Sequence, residues 1–277
     1  MDYIVSVLLA LGLIFTGSVI HAQPSPGSDH VDVKLVSDKS EISPGDKGIF
    51  GFHMIIEEGW HTYWKNPGDS GIPARISWSG ADGFETGDIL WPWPETFQEE
   101  HLITHGYKLE TLLMVPFTTD ANLEPGSYEL TASLEYLVCE RVCLPAFEQH
   151  SIRVHVGPET KYDYENAALV ARFKEKLPET SYGLEPSFTV DEGNVLLRVT
   201  GDIASLGDFN PDNITFYGYK DDMIEPSAPQ ETQLIDGALW LKLRQSRYAS
   251  GTLSELSGVL VINTDSGVKA LDIHALR

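Results

Sequence analysis

The chain has 277 residues, enough for two ordinary domains, and 42% of them are apolar, as in a globular protein with a core. Its 41 acidic residues against 19 basic ones give a formal net charge of −22. A surface of that sign repels phosphate backbones and anionic lipid, which argues against nucleic acid as a partner.

The opening text, "MDYIVSVLLALGLIFTGSVIHAQPSPG", is apolar from Ile4 to Ile20, reaches the small residue Ala22 and then becomes polar and proline-rich. It predicts a signal peptide over residues 1–22, cleaved after Ala22, although no Lys or Arg precedes the apolar run. An N-terminal membrane anchor is the competing reading, but a run of about 17 residues is short for a span. No later segment approaches the ~20 apolar residues of a membrane helix. In an exported protein a thiol pair can exist as a disulfide.

Residues 23–30 are rich in Pro, Ser, Gly and Asp. From 31 to 157 the text reads as short strands: "VDVKLVS" alternates, "GIFGFHMII" is an apolar run, and "TLLMVPF" and "SYELTASLEYLV" follow. Between them "KNPGDSG", "WSGADG" and "NLEPGS" are dense in turn formers. This pattern predicts a β-sandwich over 23–157. Residues 158–184 change character: Leu169, Val170, Phe173 and Leu177 recur at helical spacing until Pro178 ends the pattern. Strand text returns over 185–277 in "PSFTVDEGNVLLRVTG", "NITFYGYK", "ALWLKLRQ" and "SGVLVINTDSGVKALDIHAL", a second, smaller sandwich. The fold class expected is therefore all-β, two sandwiches joined by a short amphipathic helix. A faint echo links "HGYKLE" (105–110) with "YGYKDD" (217–222), a match short enough for chance.

"YLVCERVCLPAF" (136–147) holds the only two cysteines, Cys139 and Cys143. Tyr128, Leu130, Ala132, Leu134, Tyr136 and Val138 share one parity of the preceding strand. Cys139 shares the other with Glu129, Thr131, Ser133 and Glu135, so it is expected on the polar, accessible face. In one extended strand the two cysteines would lie about 13 Å apart, well beyond the ~5.5 Å of a disulfide. Pairing therefore needs a turn, and "ERV" supplies a three-residue hairpin loop. Pro145 suits an edge or a bulge at the start of the return strand. A ring this short restrains the unfolded chain by only about 2 kcal/mol. C-x3-C without a second pair is a poor zinc spacing. Chemistry alone leaves a structural staple and a redox pair level.

Other residues carry weaker signals. His101 and His105, with Glu99 nearby, could ligate a metal if the segment were helical, but "HGY" argues for a turn, and no metal site is assigned. Trp60, Tyr63 and Trp64 read as core and rim, and Trp91 and Trp93 as an extended edge segment. No phosphate loop, metalloprotease motif or serine elbow occurs, and no cofactor is expected.

Taken in order, "GWHTYWKNPGDSGIPARISW", "ILWPWPETF", "HGYKLE…LMVPF" and "YLVCERVCLPAF" resemble the periplasmic N-terminal module of the DsbD/ScsB thiol–disulfide reductases, and the ScsB-like branch in particular. That branch is linked to copper and oxidative stress tolerance. The resemblance covers about residues 31–157, and "NITFYGYKDDMIEPSAPQ" is similar to the branch's second β-domain. It implies an immunoglobulin-like fold, a periplasmic location, and a redox pair of Cys139 and Cys143, with Cys143 meeting both donor and acceptor. The implied partners are a membrane-embedded DsbD/CcdA-like electron donor and oxidised periplasmic proteins of thioredoxin fold, served by a monomer. The membrane segment and thioredoxin-like domain of full-length members are not found in this sequence, so the donor would be a separate chain. The segment 99–107 falls at the family's cap loop, which implies that Ile103, His105 and Tyr107 lie over the cysteines and that Tyr63 neighbours them. The alternative is a non-catalytic two-domain binding protein, partner- or copper-stress-related, whose disulfide is structural.

Overall fold

The computed structural model describes residues 25–277 except Ala81, Glu100, Ser181, Tyr182 and Thr252. The signal peptide expected at 1–22 lies outside the described residues.

The apolar runs of the first half become two facing sheets. One has the order Val31–Ser37, Lys47–Ile56, Glu110–Thr119, Phe84–Thr86. The other runs Cys143–Val156, Gly126–Cys139, His61–Gly68, Leu102–Lys108, Glu95–Glu99, with Arg75–Ser79 also paired to Gly126–Cys139. The alternation seen in the sequence sends Leu130, Ala132, Leu134, Tyr136 and Val138 inward, where they are fully or nearly fully buried with Phe50, Phe52, Leu113 and Phe117. Phe50 stacks on Phe117 with ring centroids 4.0 Å apart. The return strand is a sheet edge, as Pro145 suggested, and Ser25 covers part of it by accepting the Phe147 N–H at 2.7 Å.

The second half forms two four-stranded sheets. One orders Glu179–Thr180, Gly267–Leu276, Glu255–Thr264, Phe209–Gly218; the other orders Leu184–Asp191, Asn194–Gly201, Ala238–Arg244, Glu231–Ile235. Two hairpins there turn on Glu192–Gly193 and Asp236–Gly237, with φ of 45° and 76° and of 50° and 74°. Both central residues lie in the left-handed region that a two-residue hairpin of this hand demands, and glycine reaches it without strain. Val195, Leu197, Leu239 and Leu241 pack against Phe216, Leu260, Ile262 and Ile273 between the sheets.

The helix between the halves spans Tyr164–Lys174, and the Asp163 side chain caps it by accepting the Asn166 N–H at 3.0 Å. It does not bridge a gap. Val170 and Phe173 are buried against Val36, Ile49, Leu112 and Met114, on the outer face of the first sheet, and Arg172 grips the Glu110 carboxylate at 2.6 and 2.7 Å.

Among the described residues no sheet mixes strands from before and after this helix, but side chains cross between the halves. Trp64 meets the rings of Tyr217 and Tyr219, His105 stands edge-on to Tyr217 at 4.9 Å, and Asn66 Nδ2 donates to the Gly218 carbonyl at 2.8 Å. Tyr217, Val259, Val261 and Ala270 belong to the same buried cluster as Trp64 and Tyr107. The second half thus covers the inner face of the first where Thr62, Trp64 and Asn66 emerge. Lys65 Nζ adds a contact 3.9 Å over the Tyr219 ring.

Candidate disulfide site

The long hairpin pairs in unbroken register from Gly126↔Val156 to Cys139↔Cys143. The cysteines are its last rung, Glu140, Arg141 and Val142 form the loop, and the Glu140 N–H donates to the Val142 carbonyl at 3.3 Å. The two cysteines are joined by a disulfide, with Cα atoms 4.2 Å apart. The three-residue loop places them there; no distant contact is needed to bring them together.

Cys139 also pairs with His61, and His61 with Lys108, so four residues stand in one row across the sheet. Tyr63, two residues along from His61, points to the same face. Its hydroxyl donates to Cys139 Sγ at 2.8 Å and lies 3.5 Å from Cys143 Sγ. Two glycines make room for it. A Cβ on Gly71 (φ 112°) would stand 2.2 Å from the Tyr63 ring, and Gly106, paired with Tyr63, would drive a Cβ to 1.8 Å from the Thr62 carbonyl oxygen. The "GDSG" turn therefore folds its backbone flat against the tyrosine. Beyond Tyr63, His61 stacks on Phe97 at 4.7 Å, and Lys108 pairs with Glu95 at 2.8 Å.

The two sulfur-bearing residues differ in access. Cys143 is exposed, whereas Cys139 is 1% exposed. The parity of the strand placed Cys139 on the polar face, and it does lie there. Tyr63 and the strand His61–Gly68, which joins the sheet beside it, close that face at its last rung.

The Tyr63 hydroxyl touches both sulfurs. The segment expected to cap the cysteines does not. Residues 102–108 are a strand that extends the sheet through a hairpin with Glu95–Glu99. Because Gly106 is paired with Tyr63, residues 103, 105 and 107 point to the opposite face. Tyr107 is buried and donates its hydroxyl to the Pro92 carbonyl at 2.7 Å. His105 is buried against Tyr217, and burial lowers its pKa to about 4. Ile103 is half-buried and donates its backbone N–H to Asp69. The hairpin's apolar residue on the disulfide face is Phe97, the lone apolar side chain in "ETFQE", for which the sequence offers no signal of this role. His101 sits in the turn and His105 in the strand, so helical i, i+4 spacing does not bring them together. Among the described residues no group of three or more His, Cys, Asp or Glu is placed to hold a metal. Trp91 and Trp93 are half-buried, packed against the core rather than standing free on an edge.

Disulfide exchange needs a thiolate to reach one sulfur while the other leaves with the electron pair. Attack at exposed Cys143 would break the bond and leave the pair on Cys139, where the Tyr63 hydroxyl can donate to the new thiolate.

The fold and the hairpin define an all-β, immunoglobulin-like protein with a disulfide at the open end of a sheet. Residues 32–154 match the family model described as thiol:disulfide interchange protein DsbD, N-terminal. The N-terminal periplasmic domain of ScsB from Proteus mirabilis has a similar structure, with a TM-score of 0.65 at 18% identity, covering 91% of this chain and 96% of that one. The family model thus matches the part of the chain that holds both cysteines, and the ScsB domain shares its fold. Spo0M, the sporulation control protein of Bacillus subtilis, aligns over 64% of this chain and 82% of its own at 12% identity, with a TM-score of only 0.25. No curated protein matches the sequence. No helix among the described residues is long and apolar enough to cross a membrane.

Proposed function

We propose that this protein exchanges thiols and disulfides in the periplasm through Cys139 and Cys143. It takes electrons from a membrane-embedded reductase and passes them to oxidised proteins of thioredoxin fold. The redox chemistry belongs to the sandwich over 23–157; the helical segment 158–184 and the sandwich over 185–277 follow it. One observation carries this reading: the disulfide couples an exposed sulfur, Cys143, to a buried one, Cys139, that already receives a hydroxyl hydrogen bond. A buried leaving sulfur with a waiting donor suits reversible exchange better than a staple.

Alkylation of the folded, mildly reduced protein tests it. Cys143 should react without denaturant, and Cys139→Ala should trap partners as mixed disulfides through Cys143. The near-complete burial of Cys139 supports the second reading, a structural disulfide in a binding protein. That reading gains if labelling needs denaturant, or if the reduction potential lies below about −300 mV.

A further inference from the structure

The rungs below the disulfide continue its face. Leu137 pairs with Pro145 and Glu135 with Phe147, so these side chains share the side of Cys139 and Cys143. With Ile72 and Pro73, from the turn that holds Tyr63, they line a mainly apolar groove of about 180 Å³. Its near end lies one same-face step, about 7 Å along the strand, from the disulfide. Phe147 is 58% exposed and Ile72 51%, and Val142 in the loop beside Cys143 is 61% exposed. Scattered apolar residues on a surface need no explanation, but a patch of them adjoining one reactive bond does.

The position of the groove constrains its occupant. A sulfur that attacks Cys143 must come from solvent, on the exposed side of the hairpin. A folded protein that delivers such a sulfur then lays the surface around its own cysteine on the ground next to Cys143, which is this groove. A small thiol would leave it empty. A second copy of this chain is disfavoured by the charge of −22 that both copies carry.

We propose that the Ile72–Phe147 groove is the docking surface for a folded dithiol protein, and that it takes an apolar side chain flanking that protein's reactive cysteine. The proposal rests on the exchange reading above. It adds that recognition comes from apolar contact beside the bond, so the groove governs the rate with protein partners and leaves the bond's own reactivity alone. The rim is near neutral, since Arg75 and Glu135 are cross-strand partners there. An acidic partner can therefore approach this part of the surface despite the charge elsewhere.

The test compares two reductants on the full oxidised protein, reduced thioredoxin as a folded dithiol and dithiothreitol as a small one. Phe147→Asp and Ile72→Asp, singly and together, should slow reduction by thioredoxin by about tenfold or more, the effect of losing one good apolar anchor. Reduction by dithiothreitol should stay within about twofold. Equal loss with both reductants would mean that the substitutions disturb the disulfide itself, and would overturn the proposal; so would an unchanged thioredoxin rate. A wild-type dimer in sedimentation that Phe147→Asp converts to monomer would assign the groove to a second copy and overturn it as well. If the folded wild type resists both reductants, the exchange reading fails, and the groove proposal falls with it.

Discussion

The Tyr63 hydroxyl lies 2.8 Å from Cys139 Sγ, across a strand boundary and 76 residues away in sequence. In the disulfide the sulfur is a weak acceptor; in the reduced protein the same contact becomes a hydrogen bond to a thiolate, which is worth more. Tyr63→Phe keeps the ring that fills the space under Gly71 and removes only that donor. The Cys139 thiolate should then lose about 1.5–3 kcal/mol of stabilisation, the usual worth of a hydrogen bond to a charged group. Thiolate absorbance against pH on the reduced Cys143→Ala form would read it. An unchanged titration would show that the hydroxyl does not act on the thiolate.

Access to the pair should be set by Phe97 and not by Ile103 or Tyr107. Phe97 stacks on His61, next in the row to Cys139, while the other two face the opposite side of the sheet. Phe97→Ala should speed alkylation of the reduced pair by about threefold or more, with the midpoint potential little changed, because access and bond strength are separate quantities. Ile103→Gly should leave the rate where it is. The reverse ranking would restore the 103–107 segment as the shield.

His105 gives the seam between the halves a pH dependence of known sign. Burial holds its folded pKa at about 4, below the usual 6.5. Between those values the unfolded chain binds a proton that the folded chain does not. The contribution is therefore flat above pH 6.5, and stability is lost as pH falls from 6.5 towards 4. His105→Gln should remove that slope. Melting temperatures of the two proteins from pH 7.5 to 4 would show it as a gap that changes only below 6.5; parallel profiles would refute the assignment.

Asn66 is the polar tie across the same seam. Asn66→Ala leaves the Gly218 carbonyl without its donor, which should cost about 1–3 kcal/mol in urea unfolding. Trp64→Ala removes a fully buried ring from the shared cluster and should cost about 3–5 kcal/mol. A fragment covering 23–157 should keep the cysteine hairpin, yet it uncovers Trp64, His105 and Tyr107. It should melt below the full chain, and equal melting temperatures would mean that the two halves are energetically separate.

Much of this was legible in the sequence because it is local. The strand alternation before Cys139 and the three-residue loop are set by neighbours within a few residues. The burial of Cys139 was not legible. Parity assigns a face, but only the register between distant strands, Cys139↔His61 and Tyr63↔Gly106, says whether that face is covered. Phe97 was hidden for the same reason, since its side of the sheet depends on how two later strands line up. The helix was found by its period, while its seat on the first sheet depends on Val36 and Leu112, far from it in sequence.

The strand His61–Gly68 is used on both sides. His61 and Tyr63, on one face, attend the disulfide, and Trp64 and Asn66, on the other, hold the second half of the protein, with Lys65 also reaching Tyr219. A single inserted or deleted residue near His61 would exchange the two sets at once, sending an indole towards the sulfurs and a phenol into the seam. Substitutions can accumulate on either side independently, but the length of this segment cannot drift by one without both jobs being lost together.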